Sequence, residues 1–113
     1  MTSPITTHVL DTARGAPAVG VRIVLERETA GAWVKVGEGT TDVDGRLKTL
    51  MSAGSLAAGT YRLTFETGNY FRLHSVDAFF ETVVVPFAVR DAKGHFHVPL
   101  LLSPFGYSTY RGS

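Results

Sequence analysis

The chain has 113 residues, 44 % of them hydrophobic and 19 % charged, which suits one buried core, with residues 1–113 as a single domain, and argues against disorder. A net charge of +1 is too small for a nucleic-acid binder that relies on phosphate contacts, and no apolar run approaches the roughly 20 residues that span a bilayer. Cysteine is absent, which excludes disulfides, thiolate nucleophiles and Cys-ligated metal centres.

The start, Met1-Thr2-Ser3-Pro4, lacks the basic-then-apolar layout of a secretion signal, so a cytoplasmic protein is expected. A first strand is expected over 5–11, ending at the turn Arg14-Gly15-Ala16-Pro17. Val21, Ile23 and Leu25 then alternate with Arg22, Val24 and Glu26, the period of a half-buried strand. The turn Thr29-Ala30-Gly31 leads to a strand over 33–40, and Asp42-Val43-Asp44-Gly45 leads to one over 45–50. Tyr61, Leu63 and Phe65 alternate with Arg62, Thr64 and Glu66. The segment 69–75, Asn-Tyr-Phe-Arg-Leu-His-Ser, does not alternate and is expected to be a short helix. Strands are expected over 83–90, 95–102 and 106–112, separated by Asp91-Ala92-Lys93-Gly94 and Ser103-Pro104-Phe105-Gly106. About eight strands at this spacing predict an all-β sandwich whose sheet edges must be covered or paired.

Histidine is the side chain whose ordinary pKa suits proton transfer near neutrality. His95 and His97 lie two apart in a strand, so they share a face that continues as Pro99 and Leu101. The opposite face, Phe96, Val98, Leu100 and Leu102, is wholly apolar and reads as core. The histidine face therefore looks toward solvent, a partner or a ligand. Two solvated histidines would produce the same pattern. A His-x-His pair on a strand is also a metal-ligand arrangement, with His8 as a conceivable third ligand, but no carboxylate lies close in sequence to the pair.

Asp42-Val43-Asp44-Gly45 has the opening of a calcium loop, but the position for its bidentate Glu is Ala53, so a turn is the better reading. Arg46 follows it at a strand start, where a guanidinium can reach a ligand. Tyr110-Arg111-Gly112-Ser113 follows an apolar strand and a tight turn, so the last strand is expected to be packed rather than frayed. Tyr110 falls on the face of Ser108, while Arg111 falls on the other, where it is expected to pair with a carboxylate. No phosphate-binding Gly-rich loop and no Gly-x-Ser-x-Gly elbow is present.

The opening Ile5-Thr6-Thr7-His8-Val9-Leu10-Asp11-Thr12-Ala13-Arg14-Gly15-Ala16-Pro17-Ala18 resembles the first strand of the transthyretin-related family. The closing segment, from His95-Phe96-His97-Val98-Pro99 to Tyr110-Arg111-Gly112-Ser113, resembles that family's enzymatic branch, the 5-hydroxyisourate hydrolases of urate degradation. Asp44-Gly45-Arg46 and Phe79-Phe80-Glu81 fall between them in the expected order, so the likeness runs through the whole chain.

The resemblance implies a prealbumin-like, eight-stranded β-sandwich with one short helix after the fifth strand. It implies a homotetramer, a dimer of dimers around a channel that holds the active sites. It implies ring-opening hydrolysis of a small purine-derived substrate, with no metal or organic cofactor. His8, Arg46, His97 and Ser113 are the implied catalytic residues; Tyr110, Arg111 and Gly112, together with His8 and Arg46, are implied to bind substrate. Which of His8 and His97 takes the water's proton stays open, as does the part of His95. A non-catalytic carrier of the transthyretin type is the alternative, and the retained His, Arg and tail residues speak against it.

Overall fold

The computed structural model describes residues 2–113. Period-two apolar patterning dictates strands, and the described residues form nine strand segments and one helix: β1 (Ile5–Asp11), β2 (Ala16–Pro17), β3 (Arg22–Thr29), β4 (Ala32–Thr40), β5 (Arg46–Leu47), β6 (Gly59–Phe65), α1 (Thr67–Leu73), β7 (Val83–Val89), β8 (Phe96–Ser103) and β9 (Gly106–Thr109). One sheet runs β2-β1-β8-β9, with β5 also paired to β1; the other runs β4-β3-β6-β7. β1 and β8 pair in parallel, Ile5 opposite Phe96 through Asp11 opposite Leu102. The apolar faces meet in one core: Ile5 and Val9 of β1 and Leu100 of β8 share it with Ile23, Leu25, Leu63 and Phe65, all fully buried. Each such side chain contributes about 1.5–3 kcal/mol over leaving it in water.

The outline matches the expected sandwich, with four departures. The two-residue β2, paired to Leu10 and Asp11, raises the strand count above the expected eight. The strand expected over 45–50 is only Arg46–Leu47. Leu47 and Leu50 are both buried, and residues three apart cannot share one face of a strand, so the chain leaves the sheet to bury Leu50. The helix lies two residues earlier than expected, at Thr67–Leu73. Its start is fixed where the Gly68 N–H donates to the Glu81 carbonyl, and its end where Ser75 turns to φ 56°. Tyr70 and Phe71 bury one face, and the Tyr70 hydroxyl donates to Asp11 at 2.8 Å, tying the helix to β1. Burial first, and then the Asp11 carboxylate, raises the Tyr70 pKa.

The fourth departure is β9, expected through 112, which stops at Thr109. The next partner position is Pro99, which has no N–H to give to a ladder. Thr109 Oγ1 donates instead to the Pro99 carbonyl at 2.7 Å. The tail rejoins β8 in the same register at Gly112, whose N–H donates to the His97 carbonyl at 2.7 Å. Among the described residues, no helix is long and apolar enough to cross a membrane.

Candidate active site

The face of β1 turned from the core carries Thr6 and His8, between the buried Ile5, Thr7 and Val9. Register fixes what stands beside them. Arg46 of β5 lies opposite His8 on one side, and Pro99 of β8 on the other; Thr6 lies opposite His97. Neighbouring strands are about 4.8 Å apart, so three chain segments distant in sequence deliver two imidazoles and a guanidinium to one row.

The turn before β5 aims Arg46. The Asp42 carboxylate accepts the backbone N–H of Asp44 at 2.9 Å and of Arg46 at 3.0 Å. The Arg46 N–H bond is the chief reason that the Asp42 carboxyl sits below the usual carboxylate range. Gly45 adopts φ 74°, and a side chain there would run into the Val9 carbonyl, so only glycine lets this turn close against β1.

His8, Arg46, His95, His97, Tyr110, Gly112 and Ser113 line one cleft of about 720 Å³, a size suited to a small organic ligand. Thr6, Lys48 and Pro99 also line it, and among the described residues no Asp or Glu side chain does. The His97 ring is half-buried. Burial, and then the neighbouring Arg46, His8 and His95, hold its pKa below the ordinary imidazole value. The Nδ1 edge lies 2.8 Å from Thr6 Oγ1. The Cδ2 edge faces Gly112, where an added Cβ would come within 2.6 Å. The ring is thus gripped on both near edges, and its outer edge is left for the cleft. A row of neutral and cationic donors around such a space can hold an oxygen-rich ligand, stabilise a developing oxyanion and move a proton.

Of the residues singled out in the sequence, Arg111 stands apart. Its guanidinium lies over the Phe96 ring, 4.5 Å from the centroid, and donates a hydrogen bond to the His95 carbonyl, at 3.4 Å. It lines a separate groove beside β7 with Val85, Phe87 and Val98. The expected carboxylate partner is not found: among the described residues no salt bridge involves Arg111. Position opposite Val98 turns the side chain toward the sandwich edge, where an aromatic face rather than an acid is within reach. His8, His95 and His97 share the cleft, yet among the described residues no three His, Cys, Asp or Glu side chains are grouped to hold a metal ion. Thr6 and Lys48 went unnoticed in the sequence. Their signal was parity: Thr6 is two before His8, and Lys48 two after Arg46.

The profile of the HIUase/Transthyretin family matches residues 5–112. A 5-hydroxyisourate hydrolase from Deinococcus radiodurans is 50 % identical over 113 residues, covering 96 % of this chain and 95 % of that protein. The solved structure of Klebsiella pneumoniae 5-hydroxyisourate hydrolase superposes with TM-score 0.86 at 39 % identity, over 99 % of this chain and 98 % of that one. Sea bream transthyretin in complex with thyroxine superposes with TM-score 0.92 at 33 % identity, over 97 % and 95 %. The two-sheet sandwich is transthyretin-like, and the chain belongs to the HIUase/Transthyretin family.

Proposed function

We propose that this protein is a 5-hydroxyisourate hydrolase of urate degradation, opening the six-membered ring to 2-oxo-4-hydroxy-4-carboxy-5-ureidoimidazoline. The observation that carries the reading is the gathering of His8, Arg46 and His97 in one cleft that, among the described residues, no Asp or Glu side chain lines. The hydrolase names of relatives at up to 50 % identity support it.

In this mechanism a water oxygen bonds to the ring carbonyl carbon, and an imidazole of the His8–His97 pair takes the water's proton. Charge gathers on the carbonyl oxygen and is met by the Arg46 guanidinium, a planar fork suited to oxygen. The C–N bond then breaks, and the proton passes to the leaving nitrogen. Tyr110, Gly112 and Ser113 border the bound substrate. General acid–base catalysis contributes about 10²–10⁴-fold, and positioning adds to it. The chain's own side chains suffice for these steps, so a cofactor-independent enzyme is proposed.

Residues 1–113 act as one domain in this reading, in the cytoplasm, as a homotetramer whose subunits enclose the cleft. Light scattering on the eluting protein should return four chain masses; a fully active monomer would contradict the enclosed channel.

A transthyretin-type carrier is the second reading, favoured by the TM-score of 0.92 to transthyretin. The test is to generate 5-hydroxyisourate with urate oxidase and follow its absorbance decay with and without this protein. Accelerated decay supports the hydrolase. An unchanged decay, with a small aromatic ligand bound in the cleft, supports the carrier.

A further inference from the structure

Thr6 has one feature that the hydrolase reading does not use. It sits almost fully buried on the cleft face of β1, directly opposite His97 in the parallel ladder. Its hydroxyl lies 2.8 Å from Nδ1 of His97. A hydroxyl has one proton to place and two lone pairs to offer. Among the described residues, Nδ1 is the only hydrogen-bond partner of Thr6 Oγ1. The neighbouring Thr7, on the core face, shows the contrast: its hydroxyl donates to a backbone carbonyl, that of Val98, at 2.6 Å. Among the described residues no such carbonyl serves Thr6, so its proton has one acceptor there, the lone pair of Nδ1.

We propose that Thr6 is a positioning residue: its hydroxyl donates to Nδ1 of His97, which keeps the ring's own proton on Nε2, at the edge that faces the cleft. Gly112 completes the grip from the Cδ2 side. His97 then enters the reaction as a neutral hydrogen-bond donor. The lowered His97 pKa agrees, since a ring that resists protonation is the one whose tautomer matters. A neutral imidazole N–H can polarise a carbonyl and steady its oxyanion.

Resting on the hydrolase reading, this divides the two histidines. His8 accepts the water's proton as the new C–O bond forms. Nε2–H of His97 and the Arg46 guanidinium hold the carbonyl oxygen. The proton returns from His8 to the ring nitrogen as the C–N bond breaks, so water adds across that bond with nothing left over.

The experiment reads the tautomer directly, by ring-nitrogen NMR of His97 in the intact protein, Thr6→Val and Thr6→Ser. The proposal expects Nε2 protonated and Nδ1 bare in the intact protein and in Thr6→Ser. In Thr6→Val the Nδ1–H tautomer should appear. Loss of one neutral hydrogen bond predicts a fall in kcat of about 2- to 13-fold in Thr6→Val, with KM little changed and activity restored in Thr6→Ser. A proton on Nδ1 in the intact protein overturns the proposal, even if Thr6→Val does not fold. So does Thr6→Val with an unaltered tautomer and unaltered kcat. A protein with the expected tautomers that leaves 5-hydroxyisourate decay unchanged would overturn the hydrolase reading and leave the role of Thr6 in orienting the ring intact.

Discussion

Two faces of this sandwich carry positive charge and dispose of it in opposite ways. On the outer face of the β4-β3-β6-β7 sheet every cation has an acid. Arg22 pairs with Glu38 and, at 3.1 Å, with Glu66; Lys35 pairs with Glu38 at 3.0 Å; Arg62 pairs with Glu26 at 2.7 Å and lies 4.2 Å from the Trp33 ring centroid. On the cleft face of the β2-β1-β8-β9 sheet, Arg46 and Lys48 stand beside His8, His95 and His97, and among the described residues neither cation makes a salt bridge. Paired surface charges neutralise one another and add little. Unpaired ones in a concave site leave a positive field for an incoming ligand. The same residue types are therefore used differently on the two faces: Glu side chains partner the cations on one, and among the described residues no Asp or Glu side chain lines the cleft of the other.

The comparison breaks most visibly at Arg46. Loss of a donor to a developing oxyanion costs about 10²- to 10³-fold in turnover, and Arg46→Ala should show it with an unchanged circular dichroism spectrum. Arg46→Lys should fail as well, because an ammonium lacks the two-pronged geometry. His97→Asn should fall in the same range and His95→Asn less; equal loss from both would mean the two histidines act together.

The tail gives the next largest effect. Deleting residues 110–113 removes Tyr110 and the Gly112 side of the grip on His97. Most activity should go while the sandwich stays folded, since its core lies elsewhere. Tyr110→Phe should cost only about 2- to 13-fold, the worth of one neutral hydrogen bond. Full turnover in the deletion, at a matched melting temperature, would detach the tail from the site.

A pH titration sharpens the contrast further. His97 is held below its ordinary pKa in the folded protein, while the unfolded chain has an ordinary value of about 6.5. Between those values the unfolded chain binds a proton that the folded chain refuses, so stability falls as pH drops through about 6.5 and is level above it. The melting temperature of the intact protein should thus decline more steeply on acidification than that of His97→Asn. Parallel declines would mean that burial of His97 has no thermodynamic consequence.

The smallest effect belongs to the paired face. Arg62→Ala breaks a half-buried ion pair, worth about 1 kcal/mol or less, and should shift chemical denaturation slightly with turnover unchanged. A tenfold loss of turnover would end the distinction between the faces.

Alternation made much of this legible beforehand. The period-two run over 95–102 assigned Phe96, Val98, Leu100 and Leu102 to the core and His95 and His97 to the other side, and the Asp42–Gly45 turn delivered Arg46 to a strand start, as expected. What alternation cannot supply is partnership. The parallel pairing of β1 with β8, which places Thr6 against His97, joins segments some ninety residues apart. The departure after Leu47 reflects a conflict between strand parity and the burial of Leu50, decided by the core. Arg111 had its face read correctly, but its neighbour is the Phe96 ring, which only the packed edge reveals.

The most direct measurement follows 5-hydroxyisourate, freshly made by urate oxidase, beside equal amounts of the intact protein, Arg46→Ala and Arg62→Ala. If the unpaired cleft face performs the chemistry, the intact protein and Arg62→Ala accelerate the decay alike, and Arg46→Ala leaves it near the spontaneous rate. Equal acceleration by all three, or by none, would contradict the assignment of the reaction to this cleft.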